Sequence, residues 1–149
     1  MSKRLAPMEL MVGNRKGRLL RVYLAAPYSH KNAAIQLSRV EQINIAAMTL
    51  VEAGFAVFSP ISHSHPIAST RPSTKDDHKM WLEQDDEFMA WADALVILTL
   101  PGYEESEGVK YEKEWFELQH LPITYMSMES IYTLEQTLRN ARERLDYYA

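Results

Sequence analysis

Two carboxylates in this chain sit where solvated charge does not belong. Glu112 closes the stretch Gly102–Glu112, GYEESEGVKYE, which follows an apolar run at Ala94–Leu100. The pattern predicts a helix from about Glu107 to His120. At 100° per residue, Lys110, Lys113, Glu114 and Glu117 form a polar stripe, while Val109, Tyr111, Trp115, Phe116 and Leu118 fall opposite. Glu112 lies in the middle of the apolar side. A carboxylate buried there without a partner is costly or becomes protonated. One reading pairs it with a backbone N–H or an arginine; the other makes it a catalytic acid at a pocket rim. Asp85 repeats the pattern in a second helix, expected from Thr74 or Asp77 to about Trp91. Lys79, Glu83, Asp86 and Glu87 face one way; His78, Trp81, Leu82, Asp85, Phe88 and Met89 face the other. Two inward acids on helices flanking one strand favour a shared site. Such a pair suits displacement at an anomeric carbon, one acid attacking or stabilising the oxocarbenium-like centre and the other moving protons or orienting a hydroxyl. Tyr28, Trp81 and Trp115 offer aromatic faces for a base, although aromatic residues at helical spacing also serve as core.

Two further groups carry chemistry of lower specificity. Pro60–Asp77 reads as a long loop at the carboxyl end of a strand, a common place for function. His63 and His65 alternate within it and share one face if extended. A metal pair is conceivable, but no third ligand is near, so no metal is expected and a base-reading or loop-stapling role is preferred. Ser106 and Gly108, at the first turn of the Glu112 helix, could hold a phosphate through a hydroxyl and backbone N–H groups. Ser106 also reads as a helix cap, and the two roles are compatible. With no GxGxxG and no P-loop, a dinucleotide or ATP site is not indicated and no cofactor is implied.

The elements that must position these residues follow from punctuation and period. Leu19–Ala26 reads as a strand, broken by Pro27-Tyr28-Ser29. Ser29 or Asn32 can cap a helix running to about Ala53, with Leu37, Val40, Ile43, Ala47, Leu50 and Val51 at helical spacing and Gly54 at its stop. Phe55–Ser59 is a second strand, Asp93–Leu100 a central one and Pro122–Met126 a fourth. Glu129–Tyr148 is a last amphipathic helix. This order predicts an α/β, doubly wound parallel sheet of four to five strands, Rossmann-like or flavodoxin-like, with helices on both faces. Its ligand site is expected outside the carboxyl ends of the strands.

Composition bounds the rest. The chain has 149 residues, is 46% hydrophobic and contains no cysteine. One domain over residues 19–149 is expected, preceded by a loose tail over 1–18 carrying Lys3, Arg4, Arg15, Lys16 and Arg18. A formal charge of −4 leaves no electrostatic footprint for nucleic acid or a membrane surface. The start has no apolar core of a secretory signal, and no apolar run approaches a membrane span. Lack of cysteine fits a reducing cytoplasm, the expected location.

The segments VYLAAPYSH (22–30), FSPISHSHP (58–66), ADALVIL (92–98) and GYEESEGVKYE together resemble the nucleoside 2-deoxyribosyltransferase superfamily, in a branch of unknown function. SEGVKYE is similar to the SLGVGYE segment of 2′-deoxynucleoside 5′-phosphate N-hydrolases. That resemblance implies a nucleophilic Glu112 and a phosphate-contacting Ser106. EQDDEFMAWAD (83–93) is similar, without a gap, to the hydrolase segment EQDLEWLQQAD, which implies a catalytic Asp85. The hydrolases have a GSIRGG loop after the first strand where this chain has APYSHK, with Ser29 as the available hydroxyl. Lys110 replaces a glycine, and the His63/His65 stretch has no match there. The resemblance implies a nucleotide N-glycosidase acting on a small-molecule nucleotide or nucleoside, alternatively a deoxyribosyltransferase, and a homodimer or higher assembly. A nucleotide-sensing module without turnover is the reading from a different class. The C-terminal Tyr147-Tyr148-Ala149 reads as a frayed end or as an arm reaching a neighbouring site.

Overall fold

Alternation along the two central strands divides the core of the molecule in two. The computed structural model describes residues 17–148, with side chains to residue 146. Most of the expected tail (1–16), the Tyr147 and Tyr148 side chains and Ala149 lie outside the described residues. The elements are β1 (Arg21–Ala25), α1 (Ala33–Glu52), β2 (Ala56–Phe58), α2 (Pro60–Ala68), α3 (Asp77–Trp91), β3 (Ala94–Leu98), a 3₁₀ turn (Tyr103–Glu105), α4 (Glu107–Leu118), β4 (Ile123–Met126) and α5 (Met128–Tyr148). The four strands pair in parallel in the order β2-β1-β3-β4. This is the doubly wound α/β architecture expected from the sequence.

Successive strand residues point to opposite faces. Val22, Leu24, Ala94, Val96 and Leu98 pack under Val40, Ile43, Ala46 and Leu50 of α1 and Ile131 of α5. Tyr23, Ala25, Leu95 and Ile97 pack under Met89 of α3 and Val109 and Phe116 of α4. The chain leaves β1 for β2 on one side and later crosses back to β3 on the other. The loops after β1 and β3 therefore part, opening a crevice at the carboxyl ends of the strands.

Four expectations are corrected. The segment read as a loop over Pro60–Asp77 begins as helix α2. Ser59 Oγ accepts the Ser62 N–H at 3.4 Å, and Pro60 occupies the first turn, where its missing N–H has no intrahelical acceptor to lose. Pro66 lies inside the helix, near its end, which continues only to Ala68. Leu37 and Val51, expected in the core, are 53% and 49% exposed; Val51 lies one residue, about 100°, beyond the buried Leu50. Leu118, expected on the apolar side of α4, is 76% exposed. Arg18, placed in the tail by sequence, is tied to the domain. Its guanidinium donates to Asp93 Oδ2 at 2.7 Å and Oδ1 at 2.9 Å, and holds that carboxyl below its ordinary range. Among the described residues no helix is long and apolar enough to cross a membrane.

Candidate active site

Glu112 and Asp85 open into one cleft. Its volume is about 1030 Å³, and it lies where the β1–α1 loop, α2, α3 and the amino-terminal half of α4 converge. Glu112 is held in by its own helix: Val109 and Phe116, one turn either side of it, are buried under the sheet. It is 7% exposed, and among the described residues Oε2 has no hydrogen-bond partner and neither a backbone N–H nor an arginine pairs with the carboxylate. Burial pushes its carboxyl up to about 8; the Tyr23 hydroxyl opposes the shift and the Asp85 charge adds to it. Tyr23, fully buried on β1, approaches Glu112 without completing a well-formed hydrogen bond, so its hydroxyl is also unpartnered. Burial, then the charges of Glu112 and Asp85, keep that hydroxyl far above its ordinary range, so it stays a neutral donor.

Asp85 is half-buried on α3. Burial, and then the neighbouring Asp86, raise its carboxyl to about 6. Asp86 itself accepts a 2.6 Å hydrogen bond from the Tyr111 hydroxyl, whose pKa the bond pushes up to about 12. This bond joins α3 to α4 beside the two acids. At neutral pH the free site holds a largely protonated Glu112 and a largely ionised Asp85. Two titratable groups pushed to different values in one cleft are what acid, base and nucleophile roles require.

The other residues singled out by sequence divide. Tyr28, Ser29, His65, Trp81, Ser106 and Gly108 line the same cleft. Ser106 caps α4, its Oγ accepting the Val109 N–H at 3.3 Å. A Cβ on Gly108 would meet only Ser106 Oγ, at 3.9 Å. The protein's own packing thus leaves the space before Gly108 open to a ligand. His63 is outside the cleft. In a helix, residues two apart point about 160° away from each other, so the alternation that would unite His63 and His65 in a strand separates them here. His63 packs against Phe58 and Phe88, with ring centroids at 5.5 and 5.7 Å. Trp115 packs with the apolar cluster under α3 and α4, edge-on to Phe116, and does not face the cleft. Among the described residues no group of three or more His, Asp or Glu is placed to hold a metal ion.

Sequence reasoning missed Arg39 and Gln36 on α1. Arg39 donates to the carbonyls of Ser29 at 2.8 Å and Pro101 at 2.9 Å, tying together the two loops that part at the crevice. It lines the cleft and has no carboxylate partner among the described residues. Gly102 fits against it: a Cβ there would lie 2.6 Å from the Arg39 guanidinium, and its φ of 94° is left-handed. No periodicity distinguishes an arginine that reaches loop carbonyls from one in solvent. Arg71 also lines the cleft, 3.6 Å from Asp77.

Residues 20–128 match the family described as Domain of unknown function (DUF1937). The chain belongs to this family. No curated protein matches it. The DUF1937 span begins at the first strand and ends at the start of α5, so every cleft residue named above falls within it.

Proposed function

We propose that this DUF1937 domain is a nucleotide N-glycosidase of the nucleoside 2-deoxyribosyltransferase superfamily, hydrolysing a (deoxy)ribonucleoside 5′-monophosphate. The observation that carries the reading is the pair of inward acids, Glu112 and Asp85, facing one cleft at the topological switch point. The similarity of SEGVKYE and EQDDEFMAWAD to N-hydrolase segments supports the same assignment from an independent direction. The layout of α4 supports the phosphate. Ser106 and the free N–H groups near Gly108 suit an anion, and Glu112 follows Gly108 by one helical turn, about 6 Å along the axis. One helix would then anchor the 5′-phosphate and aim a carboxylate at the sugar.

In this mechanism Glu112 first gives its proton to solvent; a carboxylate oxygen then bonds to C1′ as the C1′–N bond breaks, and the base leaves with the electron pair. Water then attacks C1′ of the glycosyl ester, with ionised Asp85 accepting its proton or holding the sugar hydroxyl. The Tyr23 hydroxyl, neutral and close to Glu112, supports the ionised nucleophile. The test is a panel of nucleoside 5′-monophosphates scored for free base, with Glu112→Gln as control. Release by the native protein and not by the variant is the expected result; nucleotide binding with no base released would replace this reading with a sensing module. Adding a second free base to the incubation separates hydrolysis from transfer.

A further inference from the structure

The cleft contains a polar relay that the displacement by Glu112 does not use. Tyr28 Oη, on the β1–α1 loop, lies 2.6 Å from Nδ1 of His65 on α2. The two rings meet edge to face at 5.7 Å. The direction of the proton follows from the strengths of the two groups: a phenol O–H is a better donor than an imidazole N–H, and an imidazole nitrogen a better acceptor than a phenol oxygen. Tyr28 therefore gives its hydrogen to Nδ1. With Nδ1 an acceptor, neutral His65 carries its hydrogen on Nε2. Nε2 has no protein partner among the described residues, and His65 lines the cleft shared by Glu112 and Asp85.

We infer that His65, set in its Nε2–H tautomer by Tyr28, donates a hydrogen bond to a lone-pair acceptor on the departing nucleobase. The class of ligand is a base with a ring nitrogen or carbonyl oxygen near the glycosidic bond. This rests on the proposed reaction and goes beyond it by naming what stabilises the leaving group. As Glu112 bonds to C1′ and the C1′–N pair moves onto the base, negative charge grows on the acceptor and the hydrogen bond strengthens. His65 keeps its proton throughout, and the base takes its own from water afterwards. Tyr28 is a positioning residue.

The experiment compares two substrates: the nucleoside 5′-monophosphate that the native protein hydrolyses fastest, and the p-nitrophenyl glycoside 5-phosphate of the same sugar, whose leaving anion needs no hydrogen bond. His65→Leu is expected to lower kcat/KM on the nucleotide roughly 10- to 100-fold and on the p-nitrophenyl compound by less than about 3-fold. His65→Gln, which can place an N–H near the same point, should recover part of the loss on the nucleotide, and Tyr28→Phe should fall between native and His65→Leu. Equal losses on both substrates in a variant that melts at the native temperature, or no loss on the nucleotide, overturn the inference. Should His65→Leu melt early, His65→Gln and Tyr28→Phe decide by the same ratio. A native protein inactive on both substrates refutes the proposed reaction itself; an active one indifferent to His65 refutes only this role.

Discussion

The two faces of the sheet are each covered by a pair of helices and are built to opposite ends. Beneath α1 and α5 the packing is aliphatic, with Val22, Leu24, Val40, Ile43, Leu50, Val96 and Ile131. Beneath α3 and α4 it is rich in aromatic rings: Tyr23 lies between Phe58 and Phe116 at about 6 Å, and Phe58 stacks on Phe88 at 3.8 Å. Among the described residues the buried side-chain atoms without a hydrogen-bond partner, the Tyr23 hydroxyl and Glu112 Oε2, lie on the second face. Both faces arise from alternate residues of the same strands, so strand register does not explain the difference. One face is packed with apolar side chains, and the other keeps an unsatisfied, perturbed carboxyl of the kind that clusters at reactive sites.

The comparison is open to breaking at several points. The largest expected effect is on turnover: Glu112→Gln should lower base release roughly 10³-fold or more, since a carboxamide does not replace a nucleophilic carboxylate. For the native protein, kcat/KM should rise with pH toward about 8, where Glu112 ionises. A flat profile would place the reactive group elsewhere. On the aliphatic face, Ile43→Ala should cost roughly 2–5 kcal/mol in urea unfolding and leave turnover per folded molecule unchanged; a selective loss of turnover would show that the faces are not separable.

The next effect concerns stability against pH. Glu112 is raised from an ordinary 4.5 to about 8. Between those values the folded protein holds a proton that the unfolded chain has released, so stability falls as pH rises through that window. Glu112→Gln should abolish this fall and gain roughly 2–4 kcal/mol at pH 8 over the native protein. Unfolding curves with the same pH slope for both would mean that the carboxylate is solvated. Tyr23→Phe removes an unpartnered hydroxyl, so stability should rise or stay level within about 1 kcal/mol, while the pH profile of turnover moves upward as Glu112 loses the nearby hydroxyl dipole that opposes its raised pKa. The smallest effect belongs to the outer side of α1: Val51→Lys should change stability by less than about 0.5 kcal/mol, whereas a core position would respond several-fold more.

The parallel α/β order, four of the five helices within a few residues, and the inward direction of Glu112 and Asp85 were all legible along the chain. These are local matters: period, caps and breakers act over one or two turns, and a helix that buries Val109 and Phe116 carries Glu112 inward with them. Helix α2 was hidden because its prolines and serines are loop-like in composition; the Ser59-Pro60 start was the signal that could have revealed it. That the two acids share a cleft, that His65 enters it while His63 packs against Phe58 and Phe88, and that Arg39 and Gln36 bind the loops above it came from long-range packing. Those relations join residues far apart along the chain, and each depends on how helices lie against the sheet, which the period of a single segment does not encode.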